Sequence, residues 1–166
     1  WLLNTPVQTY ALSKSPEAPS RLSLANVITI FKSPAWLPVT MVALGAAVFA
    51  GMSNFQTTYA SERGLDYATY FFVYTLTVVV LRALLAAFKG GENAYMTIAK
   101  LQYIMGASVI LFIVMGNSVP LYILVAIMFG IGYGASYPIL VAMAAADADR
   151  SLVPQTLQLF ALTYFI

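Results

Sequence analysis

Between Asp66 and Phe88 lies a run of about two dozen residues, long enough to cross the roughly 30 Å apolar core of a bilayer. It carries a single charge, Arg82. A guanidinium facing lipid at mid-bilayer costs about 2.5 to 3.5 kcal/mol on insertion scales, and less near a helix end, so it is normally kept off the lipid. At helical spacing Phe71, Thr75, Val78 and Arg82 fall at i, i+4, i+7 and i+11, on one stripe. That stripe is predicted to look into a bundle, with the rest of the chain supplying its neighbours.

The composition places the whole chain in the same solvent. Its 166 residues are 61% hydrophobic and 8% charged, whereas an ordinary soluble domain is roughly 25% charged. The expected fold is all-α, a polytopic helical bundle partnered by the lipid bilayer. There is no cysteine and no histidine, which excludes thiolate nucleophiles, Cys or His metal sites, disulfides and histidine proton relays. No cofactor and no metal site is expected. The net charge of +2 is scattered over separate loops, without the basic run that nucleic acid binding needs. The chain opens at Trp1, with no charged segment ahead of an apolar core, so no signal peptide is read and the sequence looks like a piece of a longer protein.

Residues 1–35 read as a linker carrying an interfacial helix, and residues 36–166 as a transmembrane bundle. Trp1 to Pro6 is open between the frayed end of an earlier membrane helix and plain linker. From Val7 to Pro19 the chain is polar and proline-broken, unable to bury enough surface to fold alone. Leu24, Val27, Ile28 and Phe31 then fall at i, i+3, i+4 and i+7 between Arg21 and Lys32, the pattern of a helix lying on the membrane surface. Spans are predicted at about 37–59, 66–88, 94–115 and 121–145, with a fifth, about 154–166, cut short. At about 1.5 Å per residue that last piece reaches only about 18 Å.

Within the first span, Ala43, Ala47 and Gly51 recur every four residues, so close approach of another helix is predicted along that edge. Its far end is polar, with Ser53, Asn54, Gln56, Thr57 and Thr58. Amides and hydroxyls at that depth face protein or water. Lining a cavity, hydrogen bonding between helices and a helix end at headgroup level are all open. In the third span Lys100 lies near enough to the start to snorkel, with Gln102 just beyond it.

The fourth span holds Gly130, Gly132 and Gly134 in its middle. A nucleotide-binding loop would need a preceding strand and a different glycine spacing. Gly130 and Gly134 instead form a small-residue repeat for helix contact, and Pro138 is a candidate bend. Tyr133 and Tyr137 share a face, where they could stack on a ligand or pack against a neighbouring helix.

Loops on alternate sides give the orientation. Lys14, Arg21, Lys32, Lys89, Lys100 and Arg150 fall on one side and only Arg63 on the other. The rule that Lys and Arg stay inside places linker 7–35 and the loops near 89–93 and 146–153 in the cytoplasm, with the protein in the cell (inner) membrane. Glu17, Glu62, Asp66, Glu92, Asp147 and Asp149 all belong to loops or helix ends. No nucleophile with a base and no paired carboxylates occur in the spans, so the chain is not read as an enzyme.

The order of these features resembles a known family. A linker and surface helix lead to a span ending Ser53-Asn-Phe-Gln-Thr-Thr-Tyr59, then the Glu62-Arg-Gly-Leu-Asp66 turn, Phe71-Phe-Val-Tyr-Thr-Leu, Arg82, and Tyr137-Pro138 before a further loop. This is similar to the C-terminal half of a major facilitator superfamily (MFS) transporter, within it most similar to the bacterial drug and sugar efflux branch. The resemblance implies a permease of two six-helix bundles that rock about a central site, partnered here by a missing N-terminal half and a small-molecule substrate. It makes Asn54, Gln56, Thr57, Tyr133 and Tyr137 candidate substrate-facing residues. Arg82 becomes a gating or structural charge at the contact between bundles. The family's loop motif decays after Arg82, where Ala86 and Gly90 stand in place of glycine and aspartate. The alternative reading is a transporter-derived scaffold or assembly subunit of a membrane complex that no longer transports.

Overall fold

The computed structural model describes residues 22–86 and 93–163. Linker residues 1–21, loop residues 87–92 with Lys89, Gly90 and Glu92, and residues 164–166 lie outside the described residues. Six helices make up the described chain: α1 (Leu24–Lys32), α2 (Trp36–Glu62), α3 (Tyr67–Ala86), α4 (Ala94–Val114), α5 (Val119–Asp147) and α6 (Val153–Leu162). Four of them, α2 to α5, are long and apolar enough to cross a membrane. The protein is an all-α helical membrane bundle.

Helix ends follow from local chemistry. Ser23 caps α1 by accepting the Asn26 N–H at 3.2 Å. The Asp66 carboxylate accepts the Ala68 N–H at 3.0 Å and the Thr69 hydroxyl at 3.1 Å, and Asn93 caps α4 through Met96 N–H at 3.3 Å. Each cap satisfies an amide that the helix itself leaves open. At the end of α2, Gly64 takes a φ of +65°, which lets Leu65 N–H reach back to Ala60 O at 2.9 Å. This closes a Schellman turn that only glycine enters without strain.

Two contacts fix the alternating course of the long helices, with α2 and α4 parallel and α4 and α5 antiparallel. Tyr59 near the end of α2 donates its hydroxyl to Phe112 O near the end of α4, at 2.7 Å. At the opposite end Tyr95, at the start of α4, donates to Asp147 at the end of α5, also at 2.7 Å. Arg63 lies over the Tyr59 ring at 3.7 Å from its centroid, at the end away from Arg150.

The helix that organises the bundle is α5, not the Arg82 helix. α5 packs on α2, α3, α4 and α6, whereas α3 meets only α5 and, slightly, α2. The apolar stretch of α5 is 56% buried and that of α3 only 6%. The reason lies in the glycines. Residues four apart share a helix face and residues two apart lie on nearly opposite faces. Gly130 and Gly134 accordingly meet α3, where a Cβ would stand 3.0 Å from Thr77 and 2.8 Å from Val78. Gly132 meets α4, where a Cβ would stand 2.8 Å from the Met105 backbone nitrogen. One helix thus admits close neighbours on two sides. α5 continues as helix through Pro138.

Two expectations are corrected. On α3 the inward face is Tyr70, Tyr74, Thr77 and Val78, with Phe71 packed beside them, while Thr75 and Arg82 of the expected stripe are exposed. Along α2 the buried face is Val39, Val42, Gly45, Met52, Gln56 and Ala60. Ala43, Ala47 and Gly51 turn the other way, and no atom comes within 4 Å of a Cβ built on Gly51. In a helix that is apolar all round, nothing in the hydrophobic pattern singles out the inner face, so small residues alone did not locate it. On α1, Ile30 is 1% exposed and anchors the helix to the bundle, while Leu24, Ile28 and Phe31 of the apolar stripe are exposed, free to face a membrane surface.

Candidate functional site

The polar end of α2 divides between two faces. Asn54, Thr57 and Thr58 are exposed, on a face that no described helix covers. Gln56 is fully buried on the opposite face, and its Nε2 donates to Tyr122 Oη of α5 at 2.6 Å. Gln56 Oε1 and the buried Tyr70 hydroxyl have no partner among the described residues. The rings of Tyr70 and Tyr122 are 5.5 Å apart, so three helices bring an amide and two phenols together near the Arg63 end. The 2.6 Å separation suits an O–H···O bond better than N–H···O. Turning the amide over would let Tyr122 donate to Oε1 and leave Nε2 as the open group.

The two tyrosines expected to share a face have different surroundings. Tyr133 is stacked between Phe49 at 4.9 Å and Phe129 at 5.8 Å, and a Cβ built on Gly45 would stand 3.6 Å from its ring. It is core. Tyr137 lies one turn further on, half-buried, with its ring 5.4 Å from that of Phe160 on α6. Between α2, α4 and α5, Gln102, Tyr133, Ser136 and Tyr137 line a void of about 10 Å³, room for about one water molecule.

A larger cleft of about 550 Å³ opens between α3 and α5, lined by Arg82, Leu85, Tyr137, Pro138 and Val141. Arg82 has no ion pair among the described residues, where the one salt bridge is Arg63 to Glu62 at 3.8 Å. Of the candidate residues, Arg82 and Tyr137 share this cleft, Asn54 and Thr57 share the open face of α2, and Gln56 and Tyr133 are packed away from both. Tyr122 was missed as the partner of Gln56, because the contact joins residues 66 positions apart and their spacing carries no signal.

Removing the Gln56 contact separates packing from function. Gln56→Leu strands the buried Tyr122 hydroxyl and is expected to cost about 1–2 kcal/mol, most of it recovered in the double variant Gln56→Leu/Tyr122→Phe, which removes both polar partners. Thermal unfolding of the single and double variants in detergent checks this. Additive losses would mean that the contact is absent.

No family model, curated protein or solved structure matches the chain.

Proposed function

We propose that the chain is part of a secondary active transporter that moves a small organic solute by alternating access, in the manner of the C-terminal half of an MFS permease. One observation carries this reading: Asn54, Thr57 and Thr58 stand within a membrane-spanning helix on a face left open by the chain's own helices. An amide and two hydroxyls do not face hydrocarbon without a hydrogen-bonding partner. They therefore look onto water or further protein, as the wall of a pathway between two bundles does. Small residues Ala47 and Gly51 continue the same face, leaving room for a solute or a facing helix.

The substrate-facing set narrows to Asn54 and Thr57, with Tyr137 near the other end of the bundle. Gln56 and Tyr133 serve packing. On this reading α3 lies at the contact between bundles, and the basic ends of the bundle are cytoplasmic. The second reading, a scaffold that does not transport, is favoured by the placement of Glu62, Asp66, Asp147 and Asp149 at helix ends or turns, away from the middle of the spans where a coupling proton would titrate.

The chain has no cysteine, so single cysteines report cleanly. In membranes, Asn54→Cys and Thr57→Cys should react with a water-soluble methanethiosulfonate at least about ten-fold faster than Ile110→Cys and Ile113→Cys, because a thiol in lipid does not ionise. Equal, slow reaction at all four positions would place the α2 face in lipid and remove the pathway. Arg63→Cys and Ser151→Cys should be labelled from opposite sides. Flux in proteoliposomes of the wild type, reduced by Asn54→Ala, would decide for transport; labelling without flux would favour the scaffold.

A further inference from the structure

From the cleft between α3 and α5 we infer that this chain binds the headgroup of an anionic phospholipid, with Arg82 as its cation and the acyl chains lying along Leu85, Pro138 and Val141. The inference does not depend on transport. It requires that the bundle lie in a bilayer and that the Arg82 end of the cleft open to lipid beside any contact α3 makes with a second bundle.

Arg82 is exposed and meets no carboxylate among the described residues. Its surroundings are otherwise apolar save for Tyr137. A cation beside lipid-facing surface is stabilised by reaching the headgroup layer or by taking an anion as partner. Depth permits both at once. Val141, which lines the cleft with Arg82, lies six residues before Asp147, the last residue of α5, a drop of about 9 Å at 1.5 Å per residue. A long arginine side chain covers most of such a distance, so its guanidinium can stand where lipid phosphates stand while its stem lies along the cleft.

Fit and charge argue for a lipid over other occupants. A cleft of about 550 Å³ is larger than one phosphate needs, and its apolar wall suits methylene chains. Guanidinium matches phosphate in a bidentate geometry that a lone ammonium lacks. The same end of the bundle exposes Lys32, Lys100 and Arg150, which draw anionic lipid toward it. Of the described carboxylates at that end, neither pairs with Arg82: Asp147 accepts the Tyr95 hydroxyl at 2.7 Å, and Asp149 stands exposed in the turn before α6.

The test uses the full protein in nanodiscs of phosphatidylcholine containing about 20 mol% phosphatidylglycerol, with retained lipid read by native mass spectrometry. Wild type should keep one phosphatidylglycerol per chain, well above its share of the bilayer. Arg82→Gln should lower that enrichment about ten-fold, whereas Arg82→Lys should keep part of it. Val141→Trp, which fills the cleft and leaves the charge, should also lose the lipid. Thermal stability in pure phosphatidylcholine confirms that the variants are folded, and Val141→Trp keeps the proposal testable should Arg82→Gln fail to assemble. Equal enrichment in wild type and Arg82→Gln overturns the site. So does retention of phosphatidylcholine as readily as phosphatidylglycerol. Octyl phosphate bound with no displacement of phosphatidylglycerol, and lost in Arg82→Gln, would assign the cleft to a soluble organic phosphate and overturn the lipid.

Discussion

Replacing Gly132 with alanine should destabilise the bundle by about 1–3 kcal/mol, the cost of forcing extra volume into a packed contact. A Cβ at this position would stand 2.8 Å from the Met105 nitrogen and 2.9 Å from its Cα. Both are backbone atoms, so no rotamer change relieves the clash and α4 itself must move away from α5. Lost contact then spreads along the α4–α5 interface, which is the most extensive in the protein. Gly51→Ala is the matched control. Nothing lies within 4 Å of a Cβ there, and alanine favours the helix by roughly 0.5–1 kcal/mol. Thermal denaturation of the two variants in the same detergent should therefore shift in opposite directions. If Gly132→Ala were as stable as Gly51→Ala, the close packing of α4 on α5 would be wrong.

Phe129→Ala should cost about 3 kcal/mol, the lower end of the range for emptying a large aromatic site in a core. The lower end applies because a bilayer supplies little of the water-transfer contribution, leaving mainly lost packing. Phe129 is 1% exposed. Its ring stacks on Tyr133 at 5.8 Å and Phe49 at 6.4 Å and meets Tyr74 at 5.9 Å, so one deletion loosens contacts from α2, α3 and α5 together. Phe72→Ala on the outer side of α3 supplies the comparison. Phe72 is 69% exposed, and its loss should stay within about 0.5 kcal/mol. Similar losses for the two phenylalanines would show that this aromatic cluster is not the core.

The same contrast explains the uneven reach of the sequence. Span lengths, loop positions and the helix ends at Asp66, Gly64 and Asn93 were legible, because lipid requires long hydrogen-bonded helices and the turns use residues with local preferences. Inward faces were not. Asn54 and Gln56 look alike in the sequence, yet Asn54 lies on an open face while Gln56 is sealed against Tyr122. Tyr133 and Tyr137 sit one turn apart, one in an aromatic stack and the other beside a cleft.

What the sequence determined by itself is the solvent of this protein: four apolar helices, their lengths and their order are set by the cost of leaving a peptide group without a partner in hydrocarbon. Tertiary structure decided which helix is central, which residues are packing and where Arg82 stands. The reason is physical. In a bilayer the inside and the outside of a bundle are both apolar, so burial leaves little periodic trace in the chain. Only close approach distinguishes the faces, and that depends on Gly130, Gly132 and Gly134 meeting residues of two other helices.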